Sequence, residues 1–116
     1  MKIVNLPDQA IEKLRARAAE ACNVLKVMSN PDRLILMCMM MEVERSVSEL
    51  ESLTGIKQPT LSQQLGILRF EELVHTRREG KNIYYMLASS TVAELMHTLY
   101  QTYCSTDAER TKERNK

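Results

Sequence analysis

Three kinds of side chain in this 116-residue sequence could do chemistry: thiols, a run of amides and hydroxyls, and a cluster of cations. The thiols are Cys22, Cys38 and Cys104. As thiolates they are nucleophiles and soft metal ligands, but their wide spacing makes neither a secreted disulfide framework nor a CxxC zinc ribbon. The amides and hydroxyls are Gln58, Thr60, Ser62, Gln63 and Gln64, each able to donate and accept hydrogen bonds at base edges and phosphates. The cations are Arg77, Arg78 and Lys81, gathered around Glu79-Gly80, where they would neutralise phosphate. Glu94 and His97 form a lone carboxylate and imidazole pair, too few donors for a tight zinc site. No general base beside Cys38, no cofactor loop and no CxxC favours a redox enzyme, so neither catalysis nor a cofactor is expected.

The elements that must position these groups follow from periodicity. At roughly 100° per residue, Leu61, Leu65 and Leu68 fall on one stripe of a helix opened by Pro59, with Thr60, Gln63 and Ile67 opposite. Val74–Arg78 and Lys81–Leu87 read as strands around a tight turn at Glu79-Gly80. In the second strand Ile83, Tyr85 and Leu87 alternate with Asn82, Tyr84 and Met86, so one face can bury. Upstream, Ser46-Val47-Ser48-Glu49 has capping-box spacing, and a short helix over 47–54 ends at Gly55. Two helices joined by a tight glycine turn, then a hairpin, make a winged helix-turn-helix: mainly α, about five helices plus a two-stranded wing. An α+β core that binds nothing is the plainer alternative.

Before that motif, a helix from Pro7 carries Ile11, Leu14, Ala18, Ala21, Cys22, Leu25 and Met28 at three- and four-residue steps. Small Ala18 and Ala21 would let another helix approach closely, so Leu14, Ala18 and Ala21, with Leu99 of the last helix, are expected in a homodimer interface. Cys22 reads as packing within the same seam. Ser29-Asn30-Pro31-Asp32 restarts the chain into a second helix whose run Leu34–Met41 is apolar all round and therefore expected to be buried. A last helix from Thr91 to about Cys104 carries Val92, Leu95, Met96, Leu99 and Tyr103. One domain over 1–104 is expected, with a short arm at residues 1–6 and a frayed charged tail over 105–116.

Composition sets bounds on these readings. With 44% apolar residues but one Phe, four Tyr and no Trp, the core must be filled by aliphatic side chains and by some of the eight Met. Net charge is only +1, so attraction to nucleic acid must come from local concentration of charge. No 18-residue apolar run and no signal-type N-terminus occur, so a cytoplasmic protein with no membrane partner is expected.

The run from Gln58 to Arg69, followed by Leu73-Val74-His75-Thr76-Arg77-Arg78-Glu79-Gly80-Lys81-Asn82-Ile83-Tyr84-Tyr85-Met86-Leu87, resembles the core of ArsR/SmtB-type repressors. Leu25–Leu34 resembles the start of that family's second helix, and the likeness covers about residues 18–104. The resemblance implies a homodimer that binds pseudo-palindromic operator DNA. Two departures stand out: Gln64 occupies a position where the family often has His, and Glu72 one where Gly usually precedes Leu-Val. The family's metal ligands are absent. Ser46-Val47-Ser48-Glu49-Leu50 replaces the third-helix Cys-x-Cys element, and Ala108 and Thr111 fall where partners of Glu94 and His97 would stand.

One thiol on the second helix and one at the end of the last resembles the BigR/SqrR/HlyU-like branch. That likeness implies that Cys38 and Cys104 sense reactive sulfur species (persulfide or polysulfide) or oxidants, joining as a disulfide or sulfur-inserted bridge so that DNA is released. Two other readings stay open. Cys38 could be a small buried hydrophobe, or the cysteines could supply thiolates to a metal or metalloid sensor.

Overall fold

The computed structural model describes residues 8–104; the expected arm and tail lie outside the described residues. The elements run α1 (Asp8–Met28), α2 (Pro31–Met39), β1 (Arg45–Ser46), α3 (Val47–Thr54), α4 (Thr60–Phe70), β2 (Val74–Glu79), β3 (Asn82–Leu87) and α5 (Ser90–Tyr103). The helix boundaries have chemical causes. Asn30 caps α2, its Oδ1 accepting from the Arg33 N–H at 3.1 Å, with Pro31 just inside. At α3 the capping box closes both ways: the Glu49 N–H donates to Ser46 Oγ at 3.2 Å and the Ser46 N–H to Glu49 Oε1 at 3.0 Å. Gly55 stops α3 at φ 75°, a left-handed conformation that glycine adopts freely. Ser89 caps α5 through the Val92 N–H at 3.2 Å.

The wing is a three-stranded sheet in the order β1-β3-β2 rather than two strands alone. Arg45 and Ser46 pair with Tyr85 and Tyr84, so Ser46, read from sequence only as a helix cap, also closes the sheet. The hairpin turn falls one residue later than expected. Glu79 pairs with Asn82, which leaves Gly80-Lys81 as the loop, with Gly80 at φ 62°. A positive φ at the first of two loop residues suits the right-handed strand twist, and it sets Lys81 at the wing tip.

The core gathers Leu36, Met37, Met40, Leu50, Leu61, Leu68 and Met96, all fully buried, with Val27, Met28, Tyr85, Leu87 and Val92 around them. The stripe Leu61, Leu65 and Leu68 buries as the spacing predicts. Two expectations need correction, that α2 is buried all round and that Cys22 packs in the core. In α2, Ile35 is 44% exposed and Leu34, Cys38 and Met39 are only half-buried, because α2 packs on α1, α3, α4 and α5 along one side only. In α1 only the last turn enters the core, through Val24, Val27 and Met28; Leu14 and Leu25 are 55% and 54% exposed. Cys22 is exposed as well, and not packed as its seam position suggested.

The turn from α4 into the wing explains one departure from the family pattern. Leu73 N–H donates to Leu68 O at 2.9 Å and Glu72 N–H to Arg69 O at 3.0 Å, the two bonds of a Schellman stop. That stop needs a left-handed residue at its centre, and Glu72 supplies it at φ 59°. The left-handed region costs a residue with a Cβ about 1–2 kcal/mol. Glycine removes that cost but loosens the unfolded chain by about 0.4–1 kcal/mol. Glu72→Gly is therefore expected to stabilise the fold by about 0.5–1 kcal/mol, read as a higher denaturant midpoint at unchanged slope. A lowered midpoint would mean that the Glu72 side chain, rather than its backbone, matters at this turn.

Candidate nucleic-acid interface and thiol cleft

The recognition helix α4 starts without a side-chain bond from its N-cap, Pro59. Gln58 does that work: its Oε1 accepts from the Ser62 N–H at 3.1 Å and from Ser62 Oγ at 2.6 Å. Gln58 itself is exposed. Gln63 and Ser62 are exposed and Thr60 is half-buried on the side away from the core stripe. Gln64 sits on the helix flank instead. It is half-buried, and its Oε1 accepts from Arg33 Nη1 at 2.9 Å, while Arg33 Nε reaches Val27 O at 2.6 Å. Arg33 thus ties the end of α1 to the recognition helix, and Gln64 is held by the body rather than pointing freely outward.

The two neighbouring wing arginines occupy opposite faces of β2, and their states differ. Arg77 is already satisfied. Its Nε lies 3.2 Å from both Glu44 carboxylate oxygens, its Nη2 2.6 Å from Glu44 Oε1 and its Nη1 2.7 Å from Glu79 Oε2. The guanidinium also stacks 4.7 Å over the Tyr84 ring. Hydrogen bonding to Arg77 holds the Glu44 carboxyl below the usual carboxylate range, against a smaller opposing effect of burial and with a still smaller contribution from the Arg77 charge. The sequence places Arg77 as a phosphate contact; in the single chain it is half-exposed and pairs with two carboxylates. Arg78 faces the other way. With Arg69 of α4, Thr76 and Ile83 it lines a hollow of about 290 Å³ that, among the described residues, no carboxylate lines. Arg69 escaped the sequence reading because its position beside the wing is a tertiary fact. Alternation along Val74–Glu79 could have separated Arg77 from Arg78.

The thiols divide similarly. Cys38 is half-buried and opens into a cleft of about 310 Å³ lined by Met39, Met41, Val43, Arg45, His97 and Tyr100, among others. Burial pushes the Cys38 thiol up, and a charge on nearby Cys104 adds to the rise. Cys104 caps α5, its N–H bonded to Tyr100 O at 2.8 Å, and its side chain is exposed. So a half-buried thiol on α2 and an exposed one at the end of α5 stand on elements that pack together, while Cys22 stands exposed on α1. Among the described residues, no three His, Cys, Asp or Glu side chains gather as a metal ion would require. No helix of the described residues is long and apolar enough to cross a membrane.

A second groove runs between α1 and α5, lined by Arg17, Ala21, Val24, Leu25, Val92 and Leu95 among others. Ala18 beside it on α1 is exposed, as are Leu99 at 36% and Tyr103 at 73% on α5. The expected interface residues Leu14, Ala18, Ala21 and Leu99 therefore all lie on uncovered surface of the single chain.

Known proteins share this arrangement. The family profile "Bacterial regulatory protein, arsR family" matches residues 30–76, from the cap of α2 into β2. A biofilm growth-associated repressor of Xylella fastidiosa is 46% identical over 105 residues, covering 90% of this chain and 92% of that one. The crystal structure of the transcriptional repressor BigR from Xylella fastidiosa superposes with a TM-score of 0.75 at 48% identity, covering 82% of this chain and 97% of that one. Reduced HlyU from Vibrio cholerae gives 0.77 at 37% identity, over 81% and 99% of the two chains. A homodimeric winged helix-turn-helix DNA-binding domain from Mycobacterium bovis gives 0.65 at 29% identity, over 84% and 86%. Close identity along nearly the whole length of both chains, on one shared winged helix-turn-helix fold, makes this chain a regulatory protein rather than an enzyme, and it belongs to the arsR family.

Proposed function

We propose that the chain is a homodimeric transcriptional repressor that binds pseudo-palindromic operator DNA and lets go of it when reactive sulfur bridges Cys38 to Cys104. One domain carries both tasks, with α1 and α5 pairing the subunits. Gln63, Ser62, Thr60 and the Gln58 amide read the major groove, and Arg69, Arg78 and Lys81 neutralise phosphate. The observation that carries the sensing half is that half-buried Cys38 opens into a cleft also lined by His97 and Tyr100 of α5, the helix that exposed Cys104 closes.

The chemistry suits those positions. The exposed Cys104 thiolate attacks a sulfur of a polysulfide; an S–S bond breaks, and the shorter polysulfide leaves with the electron pair. The Cys38 thiolate then attacks the Cys104 sulfur of that persulfide and expels hydrosulfide. Two thiols are oxidised to a disulfide, and the polysulfide is reduced. If the second thiol is itself persulfidated before closure, an additional sulfur stays in the bridge.

The test uses a duplex that the protein selects from random DNA. Cys38→Ser and Cys104→Ser should each bind it normally when reduced and fail to release it after polysulfide, whereas Cys22→Ser should still release. Peptide mass spectrometry should place the bridge between Cys38 and Cys104. If Cys38→Ser lets go on treatment while Cys22→Ser does not, the switch is Cys22–Cys104 instead.

A further inference from the structure

We propose that Glu44 is the positioning residue that couples the thiol cleft to the wing. The chain between them is short. Cys38 is near the end of α2, Met39, Met41, Glu42 and Val43 line the same cleft, and Glu44 follows at once with its clasp on Arg77. The segment is also pinned along its length. Leu87 N–H, at the end of β3, donates to Met40 O at 3.0 Å, and Arg45 Nε donates to Met39 O at 3.1 Å. A segment fixed to the sheet at Met40 and to the wing at Glu44 cannot follow a displacement of Cys38 without moving one of those attachments.

The clasp itself is over-determined for a surface pair. The side chains are 47% and 41% exposed, a setting in which a single ion pair contributes little. Here one guanidinium makes three short contacts to one carboxylate, a fourth to Glu79, and stacks on Tyr84. Such a bundle fixes orientation more than it adds stability. Because Arg77 and Arg78 are neighbours on opposite faces of β2, fixing the first aims the second, with Lys81 beyond it, at the hollow beside Arg69. When the cleft is altered the clasp opens, the wing loses its setting and its hold on phosphate goes with it.

This inference rests on the cleft being the regulatory site, and its test separates the two ideas. In a Cys22→Ser background, Cys38 and Cys104 are carbamidomethylated to completion, followed by mass. The Arg77 Nε–H signal, assigned with Arg77→Lys in 15N-arginine protein, is watched together with operator affinity. Modification should cost the Arg77 Nε–H its protection and weaken binding by about tenfold, a typical coupling between sites. Unmodified Glu44→Gln should bind about as weakly as the modified protein, and modification should then add less than twofold. Glu79→Gln, which removes the other carboxylate but leaves the segment attached, should keep the full response. An Arg77 signal that ignores modification, or Glu44→Gln and modification effects that multiply, would overturn the coupling. Release on carbamidomethylation but not on polysulfide would sink the sulfur-sensing reading and leave the coupling standing.

Discussion

Leu14→Glu, Ala18→Glu or Leu99→Glu is expected to yield a folded monomer whose operator affinity is lower by about two orders of magnitude or more. Each side chain is already exposed in the single chain, so a carboxylate there costs the fold little. In the dimer the same carboxylate would be buried against an apolar partner face without a counter-charge, a penalty that opposes association. Two linked half-site readers bind the second half-site at high effective concentration; monomers bind each half independently. Sedimentation would show the change in mass and operator titration the change in affinity. A dimer that survives in all three variants would put the interface elsewhere.

The second large effect belongs to the hollow between helix and wing. Arg69→Ala with Arg78→Ala removes two cations per subunit, four per dimer, from the surface that would meet the DNA backbone. Counterion release then predicts a log–log salt slope shallower by about 0.9 for each phosphate no longer neutralised, and affinity at physiological salt lower on the order of a hundredfold for every sequence alike. Gln63→Ala should behave differently, costing about 1–3 kcal/mol of discrimination at particular base pairs while leaving the salt slope unchanged. A slope that does not move in the double arginine variant would take the wing off the DNA.

Much of this was legible in the sequence because its signals are local. The capping box at Ser46 and Glu49, the glycine stop at Gly55, the stripe Leu61-Leu65-Leu68 and strand alternation are all decided within a turn or two of chain. What was not legible is set by contacts between elements. The fate of Arg77 depended on Glu44, thirty-three residues earlier. The bond from Arg33 to the Gln64 oxygen spans thirty-one residues, and Arg69 meets Arg78 only because β2 folds beside α4. The α1 seam was rightly seen as apolar, but periodicity alone cannot say whether such a stripe covers its own core or waits for another surface. The left-handed turn at Glu72 showed in the sequence only as a missing glycine.

The filling of the core has a mechanical consequence. Tyr85 is the one aromatic residue in the buried set of the described residues, and three of the fully buried side chains, Met37, Met40 and Met96, are thioethers. Their unbranched chains change shape by rotating about several single bonds, so they follow a moving neighbour without leaving a void. Helix α5 contributes Val92 and Met96 to this core, with Ala93 partly buried against it. A helix seated on interlocked rings or branched side chains would have to break packing before it could shift; on thioethers it can slide by a fraction of an ångström at small cost. The core thus gives its last helix a compliant bearing, on which the proposed bond at Cys104 would be absorbed as movement instead of strain.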